Sequence, residues 1–157
     1  MTPKTTASRA ADVAERQNPG RTAAWLAKQV EIGLATAELS LPQYRVLGLL
    51  DESSAVSSDL AERLAVRPPS VTAIVDGLVA RGLVERRTVV SDRRQVDHIL
   101  TDSGRHALDT ADAAVTARLH EIAGCLGDDV EAARAFDGLA VWRRAFGAYR
   151  LRRMAER

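Results

Sequence analysis

Apolar residues recur along this chain at two spacings, and each change of spacing marks an element. From Arg21 onward, Leu26, Val30, Leu34 and Ala37 repeat at helical intervals with Trp25 alongside, until Leu41-Pro42 breaks the pattern. Pro42 suits the first turn of a second helix, over about 42–51, which turns Tyr44, Leu47 and Leu50 to one side. Ser57-Ser58-Asp59 is a helix-start signal leading into LAERLAV, with Leu60, Leu64 and Val66 inward. Arg67-Pro68-Pro69-Ser70 interrupts the chain. Val71, Ile74, Val75 and Leu78 then line one face of a helix that stops at Gly82. LVERRTVV and QVDHILT read as two strands joined by a charged loop. After Thr101 helical spacing returns, with Leu108, Ala111, Val115, Leu119, Ile122 and Leu126 close to a heptad seam. Thr101-Asp102-Ser103 can cap that helix, and Gly127-Asp128-Asp129 ends it and starts another, which carries Ala132, Phe136, Leu139, Trp142 or Arg143, Phe146 and Tyr149. Residues 1–20 are polar, with a Pro19-Gly20 stop, and predict a flexible N-terminal arm.

The order is four helices, two strands and two more helices. It predicts a mainly α protein with a small β-hairpin, an α+β chain of winged helix-turn-helix type. Two short amphipathic helices, a tight break and a hairpin are the parts that let a helix enter the major groove of DNA while a loop reaches the minor groove. Residues 42–101 would form that lobe, and 21–41 with 102–157 a helical dimerisation region. The helices outside the lobe carry apolar stripes that one small winged domain cannot cover, so pairing two chains would bury them. The second helix of the motif, beginning at Pro68, has an outward face of Pro69, Ser70, Thr72, Ala73 and Asp76. Small and hydroxyl side chains permit close approach to bases, and the helix N-terminus would offer N–H groups to phosphate.

A chain of 157 residues fits one domain, and its aromatic content of 4% leaves an apolar mass of Ala, Leu and Val that favours helix. No apolar run approaches the ~20 residues needed to span a bilayer, and the start has no signal-peptide core. One cysteine, Cys125, rules out an internal disulfide and fits a reducing compartment, so a cytoplasmic location without membrane contact is expected. The net charge of +1 conceals strong segregation. Residues 101–138 hold eight acidic against three basic side chains, 139–157 six arginines against Glu156, and 81–94 five arginines against Glu85 and Asp92. The arginines of the last helix would pair with the acidic helix of the same or the partner subunit, or extend a DNA-facing surface.

The chemistry excludes more than it offers. No nucleophile, base and orienter come together in a recognisable motif, so there are no catalytic residues to name and an enzyme is not expected. His98, His106 and His120 form no pair at metal-ligand spacing with one another or with Cys125, so neither a metal nor a cofactor is expected. For Arg86 and Arg87, strand alternation lets one face DNA while the other is a solvated charge beside Glu85.

The segment LAERLAVRPPSVTAIVDGLVARGLVERRTVVSDRRQVDHILTDSG resembles the DNA-binding core of the MarR family of bacterial transcriptional regulators. LAERLAV, PPSVTAIVDGL, ARGLVERR, SDRR and LTDSG match in order, and the flanking helices match the family's dimerising N-terminal helix and C-terminal helix pair. The resemblance implies a homodimer on double-stranded DNA, bound at a pseudo-palindromic operator. It implies a repressor relieved by a small aromatic or phenolic ligand. The recognition helix would run from Pro68 to Arg81, with contacts from Arg67, Pro68, Pro69, Ser70, Thr72, Ala73 and Asp76. The wing would contribute Arg86, Arg87, Asp92, Arg93 and Arg94, with Arg94 in the minor groove, Asp92 orienting it and Arg93 on a phosphate. Trp25, Tyr44, Arg45 and His106 would line the ligand pocket. The chain departs from the family in having Arg67 where Ser or Thr is common, and Ala73 and Gly77 where a long basic residue is common. The alternative is a winged helix that binds protein rather than DNA, against which the arginines at 81, 86 and 87 and in the wing argue.

Overall fold

Prolines, glycines and short polar residues set the limits of most helices in this chain. The structure, a computed structural model, describes residues 18–88 and 96–156. Helix α1 spans Pro19–Ala35. The Asn18 side chain accepts a 2.8 Å bond from the Gly20 N–H, and Pro19 fills the first turn, where a missing N–H costs nothing. Pro19-Gly20 therefore starts this helix instead of closing an arm, because a proline that cannot continue a helix can still open one. The rest of the expected arm, residues 1–17, lies outside the described residues.

Helix α2, Leu41–Glu52, opens on a reciprocal capping box between Ser40 and Gln43, with Pro42 in its first turn. Strand β1 is only Ala55–Val56. Helix α3 follows as Ser57–Leu64 and ends at Ala65, whose φ of 55° is left-handed. That reversal explains why Val66 is exposed where helical spacing would have turned it inward: the repeat ends at Leu64. Helix α4 spans Pro68–Ala80 with both prolines in the first turn, and Val71, Val75 and Leu78 are fully buried against the lobe. The chain leaves α4 through Gly82, at a φ of 69° that suits glycine.

Strands β2, Val84–Thr88, and β3, Val96–Leu100, form the expected hairpin, and β1 adds to it in the order β1-β3-β2, antiparallel throughout. Arg86 stands opposite His98 on one side of β3, and Ala55 opposite His98 on the other. Thr101 then starts helix α5, Asp102–Gly124, by accepting a 3.0 Å bond from the Gly104 N–H. Helix α6, Asp129–Ala155, is capped by Asp128, which accepts from the Val130 and Glu131 N–H groups.

Two compact units divide the chain, one ending at Val115 and the other running from Thr116. The first holds the core, in which Leu34, Val46, Leu47, Leu60, Val71, Val75, Leu78 and Val84 are sealed from solvent. In the second, His120 and Phe136 stack with ring centroids 4.3 Å apart, while Trp142, Phe146 and Tyr149 stand largely exposed. No helix among the described residues is long and apolar enough to cross a membrane.

Candidate nucleic-acid interface

Helix α4 is amphipathic in a way that leaves one face for something other than the core. Pro68, Pro69, Ser70, Thr72, Ala73 and Asp76 are all exposed, and so is Arg67 just before them. The side chains on this face are short, so another surface can approach the helix backbone closely. The Thr72 hydroxyl donates back to the Pro68 carbonyl at 3.3 Å. The expectation that this helix start offers N–H groups to phosphate needs correction. Pro68 and Pro69 have no N–H, and the Ser70 N–H is bonded to the Arg67 carbonyl at 3.0 Å. The face presents hydroxyls and the Arg67 guanidinium rather than a row of backbone amides.

Arginines surround it from other elements. Strand alternation sends Arg86 to the same face of β2 as buried Val84, toward the helices, where its guanidinium pairs with the Asp76 carboxylate. Arg87 points the other way and pairs with Glu85 at 2.7 Å. Arg81 reaches back to the Glu38 carbonyl at 2.8 Å. Asp92, Arg93 and Arg94, expected at the tip of the wing, lie outside the described residues.

Behind Arg86 sits His98, a polar residue buried to 3% exposure. Its Nδ1 lies 3.2 Å from the Val96 carbonyl and its Nε2 3.3 Å from the Ser57 hydroxyl. A carbonyl can only accept, so Nδ1 carries the proton and Nε2 receives the Ser57 O–H. Burial pushes the His98 pKa below its ordinary value, against the Val96 bond that raises it, and the nearby Arg86 charge lowers it further. This histidine ties the root of the wing to the start of α3. Spacing along the sequence does not reveal its partners, because Ser57 is 41 residues away.

A cleft of about 410 Å³ lies elsewhere in the same unit, lined by α2, α3 and α5. Tyr44 and Arg45 line it, as expected; Trp25 and His106 are exposed and are not among its lining residues. Residues that spacing did not single out complete it, chiefly Asp51, Glu52, Arg63 and Asp112. The Tyr44 hydroxyl donates to Asp112, and burial, then the Asp112 bond and charge, raise the phenol well above its ordinary pKa. Arg63 pairs with Glu52, and Arg45 donates to the Leu64 carbonyl at 3.3 Å. Among the described residues no group of three or more His, Cys, Asp or Glu could hold a metal ion. Cys125 is exposed.

Comparison with known proteins gives a consistent result. A sequence model of the MarR family matches residues 37–95. The transcriptional regulator AdcR of Streptococcus pneumoniae is 37% identical over 79 residues, which cover 49% of this chain and 54% of AdcR. The chain thus spans about half the length of that curated relative. The transcriptional repressor Rv2887 of Mycobacterium tuberculosis is 33% identical over 98 residues, covering 62% of this chain and 70% of Rv2887. The solved complex of Rv2887 with p-aminosalicylic acid superposes with a TM-score of 0.60 at 28% identity, over 76% of this chain and 93% of that one. CouR, a repressor from Rhodococcus jostii, solved on a 23-mer DNA duplex, gives 0.65 at 28% identity, over 79% of this chain and 88% of CouR.

Proposed function

This chain belongs to the MarR family of transcriptional regulators, and from that premise we propose that it binds DNA sequence-specifically as a homodimer and acts as a repressor. The observation that carries the reading is the exposed, short-side-chain face of α4 beside the arginine-bearing β2. Ser70 and Thr72 approach base edges, and Arg67 supplies the phosphate contact that the proline-capped helix start does not. Arg86 flanks the helix from β2, Arg94, oriented by Asp92, enters the minor groove, and Arg93 reaches a phosphate. CouR on its DNA duplex supports this use of the fold.

Two copies follow from the apolar residues that one chain leaves open. Trp25 is 73% exposed and Trp142 61%, and Phe146, Tyr149 and Leu151 are exposed as well. Large aromatics in that number mark a surface that a partner covers. In the dimer the helices 21–41 and 102–157 pair, and the two recognition helices read successive major grooves about 10 bp apart. The operator is therefore a pseudo-palindrome, and the protein works in the cytoplasm where that DNA lies.

The cleft beside Tyr44 and Arg45 is the site at which a small aromatic or phenolic ligand relieves repression, as the Rv2887 complex suggests by analogy. Such a ligand regulates only to the extent that it binds the DNA-free form more tightly than the DNA-bound one. Nuclease footprinting of the full chain on its own upstream DNA tests the whole reading. Protection of two related half-sites one helical turn apart is expected, and a smooth digestion pattern at every protein concentration would reject it.

A further inference from the structure

We propose that Asp76 is a positioning residue for DNA binding, which holds Arg86 and through it fixes the root of the wing against the recognition helix. The proposal rests on the DNA-binding reading above and assigns a job to a residue that this reading leaves unexplained. Asp76 is the one charged residue in the sequence Pro68–Ala80, and it is negative. A carboxylate on the exposed face of a helix that enters a polyanionic groove is repelled by phosphate unless something offsets it.

The geometry supplies that offset and gives it a direction. Asp76 is bonded to the Arg86 guanidinium from β2. Arg86 is itself held at one register, because it stands opposite His98 in the sheet. His98 in turn is tied to Ser57 at the start of α3 and to the Val96 carbonyl. Polar contacts therefore run from α3 through β3 and β2 to α4, and the packing of α3 on α4 closes the circuit. The neighbouring arginine has no such role, since Arg87 pairs within its own strand with Glu85.

Two consequences separate this from a decorative ion pair. A surface pair that is half exposed contributes little to stability, so its removal should leave the fold nearly intact. What it governs is the distance between a helix in one groove and a wing in the next, and only a specific site is sensitive to that distance. Non-specific binding depends on total charge alone, and there the loss of a carboxylate is favourable.

The test uses the full chain and two labelled duplexes of equal length. One is selected from random-sequence DNA by the wild-type protein, and the other is a scramble of it. Asp76→Asn should weaken binding to the selected duplex about tenfold, the worth of one charge-assisted hydrogen bond, and leave the scramble unchanged or tighter. Asp76→Glu should recover part of the loss. Arg86→Lys keeps the charge but not the forked donor, and should lose the same discrimination with an unchanged salt slope on the scramble. If Asp76→Asn does not fold, Arg86→Lys decides alone. Tighter binding of both duplexes by Asp76→Asn, or full discrimination by Arg86→Lys, overturns the proposal. A wild-type chain that enriches no duplex overturns the DNA-binding reading and this inference together.

Discussion

Gly104 sits where one added carbon would meet the backbone of another element. A Cβ there would lie 2.0 Å from the Leu83 carbonyl oxygen and 2.7 Å from Leu100 Cδ1. The same carbonyl accepts the Thr101 N–H at 3.2 Å, so it cannot move away without breaking the joint between the hairpin and α5. This accounts physically for the glycine in LTDSG. Gly104→Ala should cost about 3 kcal/mol in urea denaturation, the upper range for overpacking, whereas an exposed glycine such as Gly138 should tolerate alanine. His98 gives the second residue-level expectation. Its folded-state pKa is depressed, so the folded protein binds that proton less readily than the unfolded chain does. The stability it contributes is complete above the unfolded value of about 6.5 and is lost as pH falls below it. The thermal midpoint should therefore drop from neutral pH toward pH ~5.5, and the drop should shrink in His98→Gln. An identical pH profile in the variant would remove His98 from the account.

Elements were legible wherever the sequence carries its own punctuation. Pro42, Pro68-Pro69, Gly82 and the Thr101-Asp102-Ser103 and Gly127-Asp128-Asp129 clusters mark helix limits because their backbone chemistry acts over a few residues. The hairpin was legible for the same reason. Strand β1 was not, since two residues have no periodicity and its pairing with β3 is made in space. The capping box at Ser40 and Gln43 is present in the sequence as a Ser-x-x-Gln, but Pro42 alone marks that helix start in the apolar pattern. It carries an expectation of its own. Ser40→Ala should destabilise the protein by about 1 kcal/mol, and Ser40→Asn by much less, read from denaturation midpoints at constant slope. The candidate site divides along the same line. The outward face of α4 followed from periodicity, while the links Asp76–Arg86, Ser57–His98 and Tyr44–Asp112 join residues 10, 41 and 68 apart. No local pattern encodes such pairs.

At the scale of the molecule, the helices outside the lobe carry more apolar surface than one chain covers. The seam on α5 is buried at Leu108, Ala111 and Val115 but exposed at Ile122, as is Leu126 just beyond the helix. On α6, Trp142 and Phe146 contact each other, 5.7 Å between centroids, and otherwise face outward. In the proposed dimer these residues become core. Trp142→Glu combined with Phe146→Glu should yield a folded monomer by sedimentation and should cost most of the DNA affinity, because each half-site then binds alone. A double variant that remains dimeric would place the interface elsewhere.

The central claim is that this chain is a DNA-binding regulator, and a salt series tests it most directly. The full chain is titrated against a duplex from its own upstream region, from roughly 0.05 to 0.2 M salt, and the logarithm of affinity is plotted against the logarithm of salt concentration. The account predicts a straight line with a slope of about −5 or steeper, as expected for a dimer that contacts six or more phosphates. No binding at the lowest salt, or an affinity indifferent to salt, would contradict it.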